Sequence, residues 1–212
     1  MGTKERRERE RQDTRDKILA AARDMFTDEG YDSVTMRAIA DRIEYTPTAL
    51  YHHFPSKQAL LTELCECDFA ELGRHFRDAV DVTDPIERLR AVGEAYLRFA
   101  EERPSQYRFM FMTVLPPVEV HGACAPGERV DDPERNAYFY LRQACSDAIA
   151  QGRLRAEYDD PDMLAQMLWG SVHGLISLRV AKQHAEFVTW KNLRQAVMMT
   201  MDTLLRGMVR EG

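Results

Sequence analysis

The chain reads as all-α, and three observations predict it. Apolar residues recur at the i, i+4, i+7, i+8 spacing of a helical stripe in segment after segment. No segment carries the apolar/polar alternation of a half-buried strand. The 11 glycines and 9 prolines are too few for a turn-rich β fold and fall mostly at segment edges. At 212 residues the chain can bury a sizeable core in one large domain or two small ones. A hydrophobic share of 44% with 30% charged residues excludes a disordered, collagen-like or disulfide-stapled chain.

The elements follow in order, about nine helices in all. Residues 1–12 alternate Arg and Glu with no apolar anchor, as a mobile arm or a helix extension would. Ile18, Ala22, Met25 and Phe26 form the first stripe, which Asp13 or Thr14 can cap and Gly30 can end. Met36, Ile39, Ala40 and Ile43 form a short second stripe behind the cap Thr35. A brief segment spans Thr46 to Phe54. Ser56 then caps a long helix with the stripe Leu61, Cys65, Phe69, Leu72 and Phe76.

Three later helices are announced by Asp84-Pro85, Asp132-Pro133 and Asp160-Pro161. In each, Asp can cap orphan amides and Pro occupies the first helical position, where its missing N–H costs nothing. Glu87 fits a capping box with Asp84. A further helix starts near Pro104 and carries Tyr107, Met110 and Phe111. A Pro/Gly-rich loop runs from about Val114 to Asp132. The last helix, from about Thr189, has the clearest stripe: Leu193, Val197, Met201, Leu204, Leu205 and Met208.

Charge is unevenly spread. Residues 1–57 hold 11 basic and 11 acidic side chains, whereas residues 58–212 hold 18 and 24. A polyanion is repelled less by the first stretch. Cysteines at 65, 67, 124 and 145 have neither disulfide nor zinc spacing and suit reduced thiols in a cytoplasmic protein. The polar N-terminus is no secretory signal. The uncharged run Met163 to Leu178, 16 residues, falls short of the about 20 needed to span a bilayer. No membrane contact, cofactor or metal is expected.

The most informative stretch is TMRAIADRIEYTPTALYHHFPSK, from Thr35 to Lys57. A short amphipathic helix, a turn and a second short helix follow one another. The second helix has a cap, Thr46, a Pro at its first position, Pro47, and one buried anchor, Leu50. Thr48, Ala49, Tyr51, His52 and His53 are small or carry hydrogen-bonding tips. Such a helix can enter a major groove, where small residues permit close approach. Lys57 at the next helix start adds a cation beside free helix amides, a phosphate site. An ordinary three-helix packing unit is the alternative on spacing alone.

ILAAARDMFTDEGYDSVTMRAIA and TPTALYHHFPSKQALL go further. The stretch from Asp13 to Leu64, about a quarter of the chain, resembles the DNA-binding domain of the TetR/AcrR family of transcriptional regulators. The resemblance implies a DNA-binding domain over residues 1–57 and an effector-binding and dimerisation domain over 58–212. It places Thr35 and Arg37 at the supporting helix, on phosphate or base. It sets Thr46, Pro47, Thr48 and Ala49 towards bases, and Tyr51 and His52 on backbone and groove wall. His53 either joins them or packs beside Phe54. Lys57 matches the phosphate-binding lysine. One departure stands out: the turn usually carries Gly and a small aliphatic residue, and here it is Glu44-Tyr45. A left-handed residue other than Gly costs roughly 1 kcal/mol, so a differently built turn and modest DNA affinity are both open.

In residues 58–212, Tyr96, Tyr107, Met110, Phe111, Phe139, Trp169 and His173 are the candidate lining of a greasy ligand pocket with a few polar tips. Simple core packing is the alternative for each. Trp169 and His173 lie four apart on one helix face. Gly170 and Gly174, mid-helix, make sense if a backbone or ligand comes close. The Trp-x-x-x-His-Gly run resembles a TetR subgroup with a Trp-His-Gly motif. No other His or Cys stands at metal spacing from His173. The helix Leu164–Val180 and the final helix are apolar over much of their girth, as expected of a two-fold four-helix interface.

The expectation is therefore a homodimeric repressor on palindromic double-stranded DNA, released by a small-molecule effector. The rivals are a ligand sensor without DNA binding and an all-helical enzyme. For the enzyme there is no phosphate loop, His-Glu-x-x-His or serine elbow.

Overall fold

A computed structural model describes residues 3–117 and 137–210. Among the described residues there are nine helices: α1 (Thr3–Glu29), α2 (Met36–Arg42), α3 (Pro47–His53), α4 (Lys57–Val80), α5 (Pro85–Glu102), α6 (Pro104–Met112), α7 (Ala137–Ala150), α8 (Pro161–Lys182) and α9 (Leu193–Met208). The all-α expectation holds. No helix among them is long and apolar enough to cross a membrane. The Asp132-Pro133 pair, Cys124 and most of the Pro/Gly-rich loop lie outside the described residues.

The chain divides into two compact units. One comprises Met1–Asp68 with Pro104–Arg129, the other Phe69–Arg103 with Val130–Gly212.

In the first unit α1 is helical from Thr3, so over residues 3–12 the extension reading holds, and no cap interrupts the helix at Asp13 or Thr14. The Thr14 hydroxyl instead donates to the Glu10 carbonyl at 2.8 Å, inside the helix. Gly30 ends α1 with φ +82°, and its N–H donates to the Phe26 carbonyl at 3.1 Å. Ile18, Ala22 and Phe26 are buried, as are Ile39, Leu50, Phe54, Leu60 and Leu61. Each large side chain among them contributes roughly 1.5–3 kcal/mol by leaving water. Helix α6 adds Tyr107 and Phe109, the Phe109 ring lying 6.5 Å from that of Phe26. Asp68 on α4 is fully buried. Arg23 of α1 donates to both its oxygens, at 2.8 and 2.7 Å, and Gln106 of α6 adds a bond at 2.9 Å. One carboxylate thus ties three helices.

The second unit is arranged around α5, which meets α7, α8 and α9. Asp84 caps α5, accepting from the Ile86 and Glu87 amides at 2.8 and 3.1 Å, and Pro85 is its first residue. The Glu87 carboxylate takes Arg90 one turn on. Gly93 lets α9 approach closely: a Cβ there would meet the Met201 side chain at 3.0 Å. Arg90 bonds Asp202 at 2.8 Å, and Arg194 reaches Glu94 and Glu101 at 2.8 and 2.7 Å, closing α5 on α9. Asp160 caps α8, again with a following Pro. Helix α9 starts at Leu193, later than Thr189, because the Asn192 side chain supplies the cap to Gln195 at 2.8 Å. An isolated antiparallel bridge joins Leu154 to Val209. Cys145 is buried, and burial pushes its thiol up to about 12.

Candidate nucleic-acid interface

Thr35 is extended and exposed; its hydroxyl accepts from the Ala38 amide at 3.1 Å and starts α2. Arg37, also exposed, stands 4.0 Å from Asp41. After Ile43 the chain turns left-handed at Glu44, φ 60°. The Tyr45 amide donates to the Ala40 carbonyl at 2.9 Å and the Glu44 amide to Asp41 at 3.2 Å. This 6→1 and 5→2 pair is a Schellman ending. The turn is therefore built in the left-handed way, with a glutamate in the place that glycine fills at least strain.

Thr46 caps α3 through the Ala49 amide at 3.2 Å, with Pro47 at the first position. Leu50 is the one fully buried residue of α3, and Phe54 just beyond it is buried too. The Phe54 amide closes the helix on the Leu50 carbonyl at 2.9 Å. The other sides are open. Thr46, Thr48, Tyr51 and His52 are exposed, Tyr51 to 51%, and Pro47 and Ala49 are half-buried. These hydroxyls, phenol and imidazole can accept from or donate to base edges and phosphates, and the short side chains allow close approach.

His53 behaves differently. It is half-buried, and its Nδ1 is buried with no hydrogen-bond partner among the described residues. Burial and the charges of Arg15, Arg11 and His52 hold the ring below the ordinary imidazole range. Lys57 is drawn inward. Its Nζ donates to the Tyr31 and Val34 carbonyls, each at 2.8 Å, and sits 4.1 Å over the Tyr31 ring. Two of its three protons are thus engaged in fixing the α1–α2 connection. Arg15, which the residue types alone do not single out, braces the other end of α3. It donates to the His53 carbonyl at 2.8 Å, lies 4.4 Å over the Phe54 ring and pairs with Glu63.

The apolar candidates fall in both units. In the second, Tyr96 is buried and its hydroxyl stands 3.0 Å from His173 Nδ1. Burial holds the His173 imidazole below its usual range. Trp169, 38% exposed, lies 6.2 Å from the His173 ring and 6.4 Å from that of Tyr138. Tyr138 is thus a member that the candidate set lacks; in sequence it is one aromatic among three neighbours. Phe139 is half-buried on α7, its ring 6.5 Å from Tyr140. Tyr107, Met110 and Phe111 lie on α6 of the first unit. There Tyr107 is fully buried, with Phe111 5.4 Å away. A Cβ at Gly170 or Gly174 would meet nothing within 4 Å.

Comparison with known proteins identifies both parts of the chain. Residues 18–64 match the bacterial regulatory proteins of the tetR family, and residues 89–204 match the tetracyclin repressor-like C-terminal domain. The HTH-type transcriptional activator FasR of Mycolicibacterium smegmatis is 34% identical over 141 residues, 66% of this chain and 58% of its own length. The HTH-type transcriptional regulator UidR of Escherichia coli K12 is 39% identical over 72 residues, 34% of this chain and 37% of its own. The matches thus span less than two thirds of these relatives. The structure of the ketosteroid transcriptional regulator KstR2 of Mycobacterium tuberculosis shares the fold at a TM-score of 0.61 and 20% identity, over 93% of this chain and 96% of that one. With a motif-bearing first domain and more than half its length in the matching C-terminal domain, the chain belongs to the TetR family of bacterial regulatory proteins.

Proposed function

We propose that the chain is a cytoplasmic, homodimeric transcriptional repressor that binds a palindromic operator and is released by a small, largely apolar ligand. The observation that carries the reading is the outer face of α3: Thr48, Tyr51 and His52 exposed around one buried anchor, Leu50. Thr46, Pro47, Thr48 and Ala49 face bases in this reading. Thr35, Arg37, Tyr51, His52 and His53 hold phosphate and groove wall, and Lys57 offers its remaining proton to a phosphate. Residues 1–57 form the DNA-binding domain and 58–212 the effector and dimer domain. The relatives FasR, named a transcriptional activator, and UidR, named a transcriptional regulator, support transcriptional regulation as the class.

The ligand takes the second unit's cluster, with Tyr96, Trp169 and His173 as its polar-tipped wall and Phe139 as apolar neighbour. Exposed Met163, Met167 and Leu178 on α8 and Met199 on α9 favour a second copy of the chain on those faces. Two-fold pairing sets the recognition helices about one DNA turn apart, ~34 Å. The ligand acts by preferring a different spacing, and it shifts the equilibrium only by its differential affinity for the two states.

Selection from random genomic fragments at two salt concentrations tests this. A palindrome should be enriched, and binding should weaken with salt. Replacing Tyr51 and Lys57 together should abolish selection. A chain that enriches nothing, yet still binds apolar ligands through Trp169, is the sensor without DNA binding that the Glu44 carboxylate in the turn would favour.

A further inference from the structure

The buried stripe of α1 does not stop where the core stops. Residues step about 100° around a helix, so Ile18 and Ala22, both fully buried, share one face with Arg15, Arg11, Arg7 and Lys4. Arg15 is the first of these beyond the core, and it shows what the face looks onto. It caps the His53 carbonyl at the end of α3, at 2.8 Å, and covers Phe54. Arg11 lies one turn further out and Arg7 one more, about 6 and 12 Å along the axis from Arg15. Both are exposed, as is Lys4. The positive charge of Arg11 is felt at His53, where it helps to keep the ring neutral. The acids of this stretch lie mostly elsewhere on the helix. Glu10 pairs with Arg6 at 3.5 Å, and Asp16 accepts from Gln12 at 2.9 Å. Glu8 is the one carboxylate on the flank of the basic row.

From this row we infer a second nucleic-acid contact: Arg7 and Arg11, with Lys4, grip duplex phosphates beside the C-terminal end of α3. A row of cations one turn apart along a straight rod matches a regularly charged polyanion, and this face opens beside the helix proposed to enter the groove. The inference rests on the DNA-binding reading. The grip is sequence-independent, because phosphates carry no base identity.

The test is a salt series of binding to sheared, mixed-sequence duplex DNA by the full chain and by R7Q/R11Q. Each lost phosphate contact should flatten the slope of log K against log salt by about 0.9. A dimer losing both in each subunit should therefore lose up to about 3.6 in slope. The thermal midpoint should not move, since both side chains precede the core. E8Q should act oppositely, tightening binding. An unchanged slope and affinity in R7Q/R11Q, with wild type binding normally, overturns this inference alone. Failure of wild type to bind duplex at all overturns the DNA-binding reading and this one with it.

Discussion

The two compact units build their candidate sites by opposite means. In the first, the side chains that open α2 and α3 stand close together in sequence and are placed by local devices. Thr35 and Thr46 cap their own helices, Pro47 opens α3, and a Schellman bond pair turns the chain between them. In the second unit, the Tyr96–His173 hydrogen bond joins residues 77 apart in sequence, and Trp169 and Tyr138 come from different helices. A reading head can be assembled from short-range rules, whereas a pocket wall needs the tertiary fold. Change in the first should act through individual contacts, and change in the second through packing.

The largest effect should break that contrast. Asp68 is a fully buried long-range tie of the first unit, joining α1, α4 and α6 through Arg23 and Gln106. D68A strands Arg23 without its buried partner and should cost about 3–5 kcal/mol in denaturant unfolding. A loss under one would mean that the locally built motif stands without this tie. Next, T48A, at a base edge, should weaken operator binding by about 1–3 kcal/mol, and Y51A, on the backbone, should weaken binding alike on every sequence, with unfolding unaltered in both. Unchanged operator titrations would remove them from the interface.

E44G should stabilise the chain by about 1 kcal/mol, because glycine adopts the left-handed turn without steric cost. A lower melting temperature would show that the glutamate side chain contributes something the turn geometry does not reveal. The smallest effect belongs to the second unit. The folded His173 ring titrates below its unfolded value, so the unfolded chain binds the extra proton first and stability falls as pH drops below about 6.5. H173N should flatten that decline; melting curves between about pH 8 and pH 5 check it. An identical slope would place the sensitivity elsewhere.

The same contrast explains what was legible in the sequence. Caps at Thr35, Thr46, Ser56, Asp84 and Asp160 are local chemistry, and each sits where its residue type and following residues put it. The family resemblance rests on the same local order of residues. Long-range placement was not legible. Tyr107, Met110 and Phe111 have the aromatic and thioether character of a pocket wall, yet periodicity cannot say which unit a helix joins, and α6 joins the first. Lys57 looks like a free phosphate ligand because nothing nearby in sequence announces the Tyr31 and Val34 carbonyls as its acceptors. Helix α9 starts at Leu193, behind the Asn192 cap, because turn bonds such as Val188 to Ala185, and the Trp190 indole on the Lys182 carbonyl, occupy the preceding residues.

The double anchorage of Lys57 also bears on how an alanine scan of this domain should be interpreted. Deleting the ammonium strips two main-chain oxygens of their donor and slackens the bend ahead of α2. A weakened K57A would thus record a broken hinge pin as much as a lost handhold. Arginine at this position, longer and fork-shaped, is the more telling replacement: it keeps the charge while altering the geometry of the tether.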